Sequence, residues 1–166
     1  MAMTHCYECG ALLEEKELEN EGIVPYCPTC KEYRFPIFNT AVSMLTIDPE
    51  EKKILLVQQY GRKNWILVAG YVNRGEIAEH AVRRELQEEV SLQVDSISFN
   101  RSCFFAPSNT LIWNFAAFVK PKQTVHPNWE VDRWQWFTFE EAREAIKPQS
   151  LAQTFLLHYL DGGEIS

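Results

Sequence analysis

Three glutamates within five residues, Glu85, Glu88 and Glu89, lie in a run from Glu76 to Val90 that contains neither Gly nor Pro. The run places Ile77, Ala78, Ala81, Val82, Leu86 and Val90 at helical spacing, which predicts the longest helix of the chain. At about 100° per residue the three carboxylates fall within an arc of roughly 100°. Like charges at these spacings cost about 0.2–0.5 kcal/mol per pair. Two readings explain such a patch: a solvated acidic face, or a site for hard divalent cations, which take oxygen ligands and reach phosphates through carboxylates and water.

The cysteines suggest a second kind of metal chemistry. Cys6 with Cys9 and Cys27 with Cys30 form two C-x-x-C pairs separated by seventeen residues, and Cys103 stands alone. Four thiolates brought to the corners of a tetrahedron make a closed structural Zn²⁺ site, with no open position for a catalytic water. Two disulfides, or four unconnected thiols, are the alternatives, and cytosolic thiols stay reduced. Gly10 and Pro28 fit tight turns around such a metal, and His5 reads as a bystander to a complete cysteine set. So small a ribbon has little core, so metal binding would carry most of its folding. Glu14, Glu15, Glu17, Glu19 and Glu21 make its loop acidic, which argues against nucleic acid there.

The elements that must position these groups follow from pattern. A boundary after Phe35-Pro36 separates a ribbon over residues 1–36 from a larger domain over 37–166. Strands are predicted over Ala41 to Ile47, Ile54 to Val57, Trp65 to Ala69 ending at Gly70, Leu111 to Val119, and Trp134 to Thr138. Thr138-x-x-Glu141 and Ser150-x-x-Gln153 read as capping boxes opening helices over 139–146 and 151–160. Strands with helices between and after them give an α/β (α+β) class, one mixed sheet covered by helices.

Gly70, five residues, Glu76, seven residues, then Arg84-Glu85-Leu86-Gln87-Glu88-Glu89-Val90-Ser91-Leu92 resembles the Nudix signature, G-x5-E-x7-R-E-U-x-E-E-x-G-U, at eight of its nine fixed positions. Ser91 stands where the signature has its last Gly, a helix C-cap with positive φ. The resemblance implies an α/β/α sandwich with a mixed sheet. It implies that Glu85, Glu88 and Glu89, with the carbonyl of Gly70, hold Mg²⁺ or Mn²⁺, and that Arg84 and Glu76 pair to orient them. It also implies hydrolysis of a pyrophosphate bond in a nucleoside diphosphate linked to another group, with Glu85 or Glu88 as general base and Glu130 as a further ligand or base. The alternative for Glu130 is a solvated loop acid.

The ribbon followed by this domain resembles the NADH pyrophosphatase branch of that family. The similarity runs through Tyr26-Cys27-Pro28-Thr29-Cys30-Lys31, Phe35-Pro36, Leu67-Val68-Ala69-Gly70-Tyr71-Val72 and Pro148 to Leu156. The branch carries a further domain ahead of its ribbon, and this sequence opens on the ribbon. Of the branch motif S-Q-P-W-P-F-P-x-S-L-M the chain keeps Ser102, an aromatic at Phe105 and Leu111. Phe104, Phe105, Trp113 and Trp129 are base-stacking candidates whose alternative is the core, Tyr71 and Lys63 are further base or phosphate candidates, and Cys103 reads as a small core hydrophobe or inert thiol. A homodimer is expected from the resemblance.

Composition sets the outer limits. The 166 residues are 46% hydrophobic and carry a net charge of −7, which suits one ordinary domain with a small appendage and repels long nucleic acid. No apolar stretch approaches the roughly 20 residues that span a bilayer, so a soluble cytoplasmic protein is expected, and the resemblance implies a small nucleotide as its substrate. Three functions stay open: a hydrolase of a dinucleotide such as NAD(H) or of ADP-ribose; an NAD-cap or nucleoside-triphosphate hydrolase of the same fold; and a non-catalytic ligand-binding regulator whose ribbon docks a partner. The intact carboxylates with Arg84 favour catalysis, because a binder gains nothing from keeping like charges together.

Overall fold

The computed structural model describes residues 3–162. The chain divides into two compact units, the first ending at Phe38 and the second beginning at Asn39.

The first unit is an antiparallel sheet in the order β1-β2-β3, built from β1 (Glu14–Leu18), β2 (Gly22–Cys27) and β3 (Glu32–Tyr33). Each C-x-x-C pair is closed by the same turn. Gly10 N donates to the Cys6 carbonyl and Lys31 N to the Cys27 carbonyl, with positive φ at both Gly10 and Lys31. The first turn uses the residue type that reaches this conformation without strain. Among the described residues of this unit, Cys6, Val24 and Cys27 are the buried apolar side chains, and Arg34 is buried with them. That is too little apolar surface to fold a unit of this size unaided.

The second unit is a six-stranded mixed sheet with helices on both faces, an α/β/α sandwich. Its strands are β4 (Asn39–Asp48), β5 (Lys53–Gln59), β6 (Val68–Tyr71), β7 (Val94–Phe105), β8 (Thr110–Val119) and β9 (Val131–Thr138). The order is β7-β8-β4-β5-β9, and β4 shares one edge between β6 at Ala41–Met44 and β5 at Thr46–Asp48. The β4–β8 pair is parallel and the others are antiparallel. Alternation along the strands divides the core. Val42, Met44, Leu55, Val57 and Ala117 pack under α1 (Ala78–Val90), whereas Leu45, Ile47, Ile54, Leu56 and Ala116 pack under α2 (Phe139–Ala145) and α3 (Leu151–Leu160). No helix among the described residues is long and apolar enough to cross a membrane.

Several sequence expectations shift. The long helix begins at Ala78 and not Glu76, because the Glu76 carboxylate turns back to Asn73 N at 2.9 Å and forward to Arg84. The strand expected over Trp65 to Ala69 runs Val68–Tyr71 instead, straight through Gly70, which pairs with Val42; Trp65 and Ile66 make only isolated bridges. Thr138 forms a full reciprocal capping box with Glu141. Ser150 caps Gln153 N, but the Gln153 side chain accepts from Gln149 N, so that box is not reciprocal. Strand β7 was not expected. It is an edge strand with register shifts at Val94/Ser96 and Phe99/Arg101, and these break the alternation that would announce it.

Candidate active site and metal centres

One rim of the sheet gathers the start of β4, β8 and β9 and the end of β5, β6 and β7, and α1 lies over the sheet behind it. Gly70, at this rim, faces α1. A Cβ built there would lie 1.9 Å from the Glu85 carboxyl carbon, so the carboxylate occupies the space that any side chain would need. Arg84 braces the group. Its Nε and Nη2 donate to the two oxygens of Glu76 at 2.8 Å each, its Nη2 also reaches the Tyr71 carbonyl at 2.9 Å, and Nη1 bridges Glu85 at 2.7 Å and Glu88 at 3.1 Å. The guanidinium and the Asn73 amide hold the Glu76 carboxyl down to about 2.

Glu89 sits deeper, 4% exposed, and accepts from Gln59 Nε2 at 2.7 Å. Burial, then the charges of Glu85 and Glu130, push its carboxyl up to about 8. Burial also raises Glu85. Glu130 is carried on a loop lashed to the end of α1: His126 N donates to the Val90 carbonyl and Asn128 N to the Glu89 carbonyl, closing two of the helix's free carbonyls. Ser91, at φ 58 and ψ 30, caps the helix in the left-handed region and donates Oγ to the His126 carbonyl at 3.0 Å. Asn128 Oδ1 accepts from Glu130 N, and the Tyr60 hydroxyl donates to the Glu130 carboxylate, a bond that raises the tyrosine to about 12.

Gln59 and Tyr60 were not singled out by sequence. Gln59 stands in the polar pair Gln58-Gln59 that closes the apolar run Ile54 to Val57, and Tyr60 follows it, a local pattern that says nothing of a site on α1. The expected aromatic platform is divided. Phe104 pairs with Leu111 on the α1 face of β7, whereas Phe105 points to the opposite face, where it lines a cavity of about 500 Å³ with Lys147, Gln149, Ser150, Leu151 and Thr154. Trp113 is half-buried against the core beneath α1 and edge-on to Phe99. Tyr71 is exposed at the rim, Cys103 packs against the core under α2 and α3, and Lys63 is exposed, its carbonyl accepting from Gln58.

In the first unit the Sγ atoms of Cys6, Cys9, Cys27 and Cys30 all lie within 4.8 Å of one another, and no other group of three or more acidic, His or Cys donors among the described residues meets that distance. The Cys6–Cys30 and Cys9–Cys27 separations of 3.9 and 3.5 Å match the ~3.8 Å edge of a Zn–thiolate tetrahedron and are far from disulfide bonding. The Cys9 amide and the Arg34 guanidinium favour the Cys6 thiolate, and hydrogen bonding to Cys9 pushes Cys30 the other way. Arg34 Nε donates to Cys6 Sγ at 3.2 Å, while its Nη atoms pair with Glu32 at 2.6 Å and Glu8 at 2.5 Å. His5 hydrogen-bonds Thr4, outside the cysteine set.

A mixed sheet lies between α1 and the α2/α3 pair, with Glu85 packed against a rim glycine and Arg84 bridging Glu76, Glu85 and Glu88 beside it. The family model of the NUDIX domain matches residues 38–156, and the chain belongs to that family. Among curated relatives, it is 29% identical to the NAD-capped RNA hydrolase ndx-9 of Caenorhabditis elegans, over 93% of this chain and 45% of that one. It is 32% identical to the chloroplastic Nudix hydrolase 19 of Arabidopsis thaliana, over 85% of this chain and 34% of that one. The chain thus spans less than half the length of these relatives. A Nudix hydrolase structure from Nitrosomonas europaea superposes with a TM-score of 0.64 at 20% identity, covering 97% of this chain and 94% of that one, and shares the fold.

Proposed function

We propose that this protein hydrolyses the pyrophosphate bond of a nucleoside diphosphate linked to another group, with NAD(H) or ADP-ribose as the leading substrates, using Mg²⁺ or Mn²⁺. One observation carries the reading: a buried Glu89 whose carboxyl is raised by burial and by the charges of Glu85 and Glu130, with Gln59 on Glu89 and Tyr60 on Glu130 as neutral partners. Such a cluster costs stability unless a cation joins it, and its all-oxygen donors suit a hard divalent ion. The carboxylate of Glu85 against Gly70 and those of Glu88 and Glu89 would hold the ion with the Gly70 carbonyl. Bound there, Mg²⁺ or Mn²⁺ neutralises diphosphate charge and lowers the pKa of water.

The chain's own groups then divide the remaining work. Arg84, fixed bidentately by Glu76, sets where Glu85 and Glu88 point. A water attacking phosphorus gives its proton to a carboxylate, Glu85 or Glu88, or Glu130 oriented by the Tyr60 hydroxyl. The cavity beside Phe105 is of the size that takes a nucleoside, with the ring as its apolar wall. Zn²⁺ in the cysteine quartet is structural in this reading, which also includes a homodimer in the cytoplasm. Several relatives, the C. elegans protein among them, are named as NAD-capped RNA hydrolases, which favours a capped nucleotide as second choice.

The test is a panel of NADH, NAD⁺, ADP-ribose, a nucleoside triphosphate and an NAD-capped RNA, assayed with Mg²⁺ and with Mn²⁺. Metal-dependent release of a nucleoside monophosphate from a dinucleotide is expected. Tight nucleotide binding with no product from any substrate would replace hydrolysis by the regulatory reading.

A further inference from the structure

Two aromatic rings stand in the open beside the carboxylates. Trp129 is 83% exposed and Tyr60 is 60% exposed, and they meet edge to face with centroids 6.2 Å apart. A tryptophan left this far in water forgoes the burial its ring could have had. Its setting is held from both sides. Asn128, just before it, gives its amide to the Glu89 carbonyl at 2.8 Å, and Glu130, just after it, gives its amide to Asn128 Oδ1 at 2.9 Å. Tyr60 is held by its hydroxyl on Glu130 and by Gly61 N on Asp132 at 2.6 Å, with its own backbone at φ 55. Both rings are therefore tied to the last turn of the helix that carries Glu85, Glu88 and Glu89.

Position on the rim separates this pair from the Phe105 cavity. Tyr60 follows β5, on the edge of β4 that β6 and Gly70 also occupy. Phe105 ends β7, beyond β8 on the other edge: Gly70 pairs with Val42, Val42 with Trp113, and Trp113 with Ser102, three strand spacings or ~14 Å.

We propose that Trp129 and Tyr60 form a stacking platform for the nucleobase of a nucleoside 5′-phosphate whose phosphate lies at the Glu85–Glu89–Glu130 cluster. The proposal rests on the hydrolase reading for the position of the phosphate. Stacking tolerates any base, because every base presents a π-face, and it discriminates chiefly between ligands with a base and ligands without one. The same chemistry is offered by a free dinucleotide and by the first nucleotide of a capped RNA.

The test measures binding, not turnover. Full-length protein with its native metals is titrated with AMP, with ribose 5-phosphate and with a 5′-phosphorylated RNA trimer, in the wild type and in Trp129→Ala and Trp129→Phe. The indole N–H resonance of Trp129, assigned by its loss in Trp129→Phe, should move upfield with AMP and stay in place with ribose 5-phosphate. The preference for AMP over ribose 5-phosphate should fall roughly tenfold in Trp129→Ala and recover largely in Trp129→Phe. Competition by the trimer, weaker or tighter than AMP, assigns the platform to the free dinucleotide or to the capped end. An indole resonance unmoved at saturating AMP, or a preference unchanged in Trp129→Ala, overturns the platform. A protein that binds AMP on Trp129 but hydrolyses nothing upholds it while removing the hydrolase reading.

Discussion

Glu89 is the most deeply placed of the α1 carboxylates, so in the proposed hydrolysis it is the one that depends most on a cation. Replacing Glu88 or Glu89 by Gln keeps shape and removes charge, and turnover at saturating Mg²⁺ should fall about a hundredfold or more, the scale of losing one preorganised electrostatic group. Wild-type rates in both variants would remove the metal role from these residues. The raised carboxyl also predicts a pH dependence. A group at about 8 in the folded chain and 4.5 when exposed holds its proton more tightly folded than unfolded. Its share of stability is therefore complete below pH 4.5 and lost as pH rises through 8. In a weak chelator that spares zinc, the melting temperature of the wild type should drop relative to Glu89→Gln across that window, and parallel pH curves for the two would contradict the shift. The glutamates were legible because they share one helix and one spacing. Gln59, Tyr60 and the Arg84 bridge to Glu85 and Glu88 were not, because strand pairing and side-chain rotation bring them there.

The end of α1 shows how an element tolerates a residue its pattern disfavours. The resembled signature, with Gly at position 91, leads to the expectation of a positive-φ cap, and the backbone has φ 58 there with Ser in that place. The signature could not foresee the partner, since the His126 carbonyl arrives from a distant loop. Ser91→Gly relieves strain but loses this bond, whereas Ser91→Ala loses the bond and keeps the strain. Urea unfolding should therefore rank Gly above Ala by about 1 kcal/mol, and an Ala variant equal to Gly would mean that the cap is not strained. The helices at 139 and 151 were readable from their caps, because a capping signal is local. Strand β7 was not, because an edge strand with two bulges takes its form from β8 and not from its own alternation.

At the scale of the molecule two metals would do different work, and chelation should separate them. Withdrawing Mg²⁺ should stop turnover reversibly and spare the zinc unit, whereas stripping Zn²⁺ should unfold the unit that has almost no apolar core. Metal analysis finding far less than one zinc per chain, with all four thiols free, would refute the quartet. In the proposed reading the Phe105 cavity would hold the second base of a dinucleotide. Phe105→Ala should raise KM for a dinucleotide by an amount equal to about 1–2 kcal/mol and hardly change ADP-ribose, and equal losses on both would make the ring a support for its surroundings. Sequence placed Phe104 and Phe105 on one platform; a strand's two-residue period puts such neighbours on opposite faces, and this could be seen only once the segment was known to be a strand.

The parallel pairing of β4 with β8 also bears on how the chain reaches this state. Asn39 lies opposite Thr110, so closing the pair brings together residues about seventy positions apart, a slow step by the rule that non-local pairing retards folding. The stretches carrying Gly70, Arg84 and the three helix glutamates all lie inside that loop. A nascent chain that has emerged as far as Leu92 holds every signature residue and can already pair Gly70 with Val42, but β8 and the loop that brings Glu130 to Glu89 have still to follow.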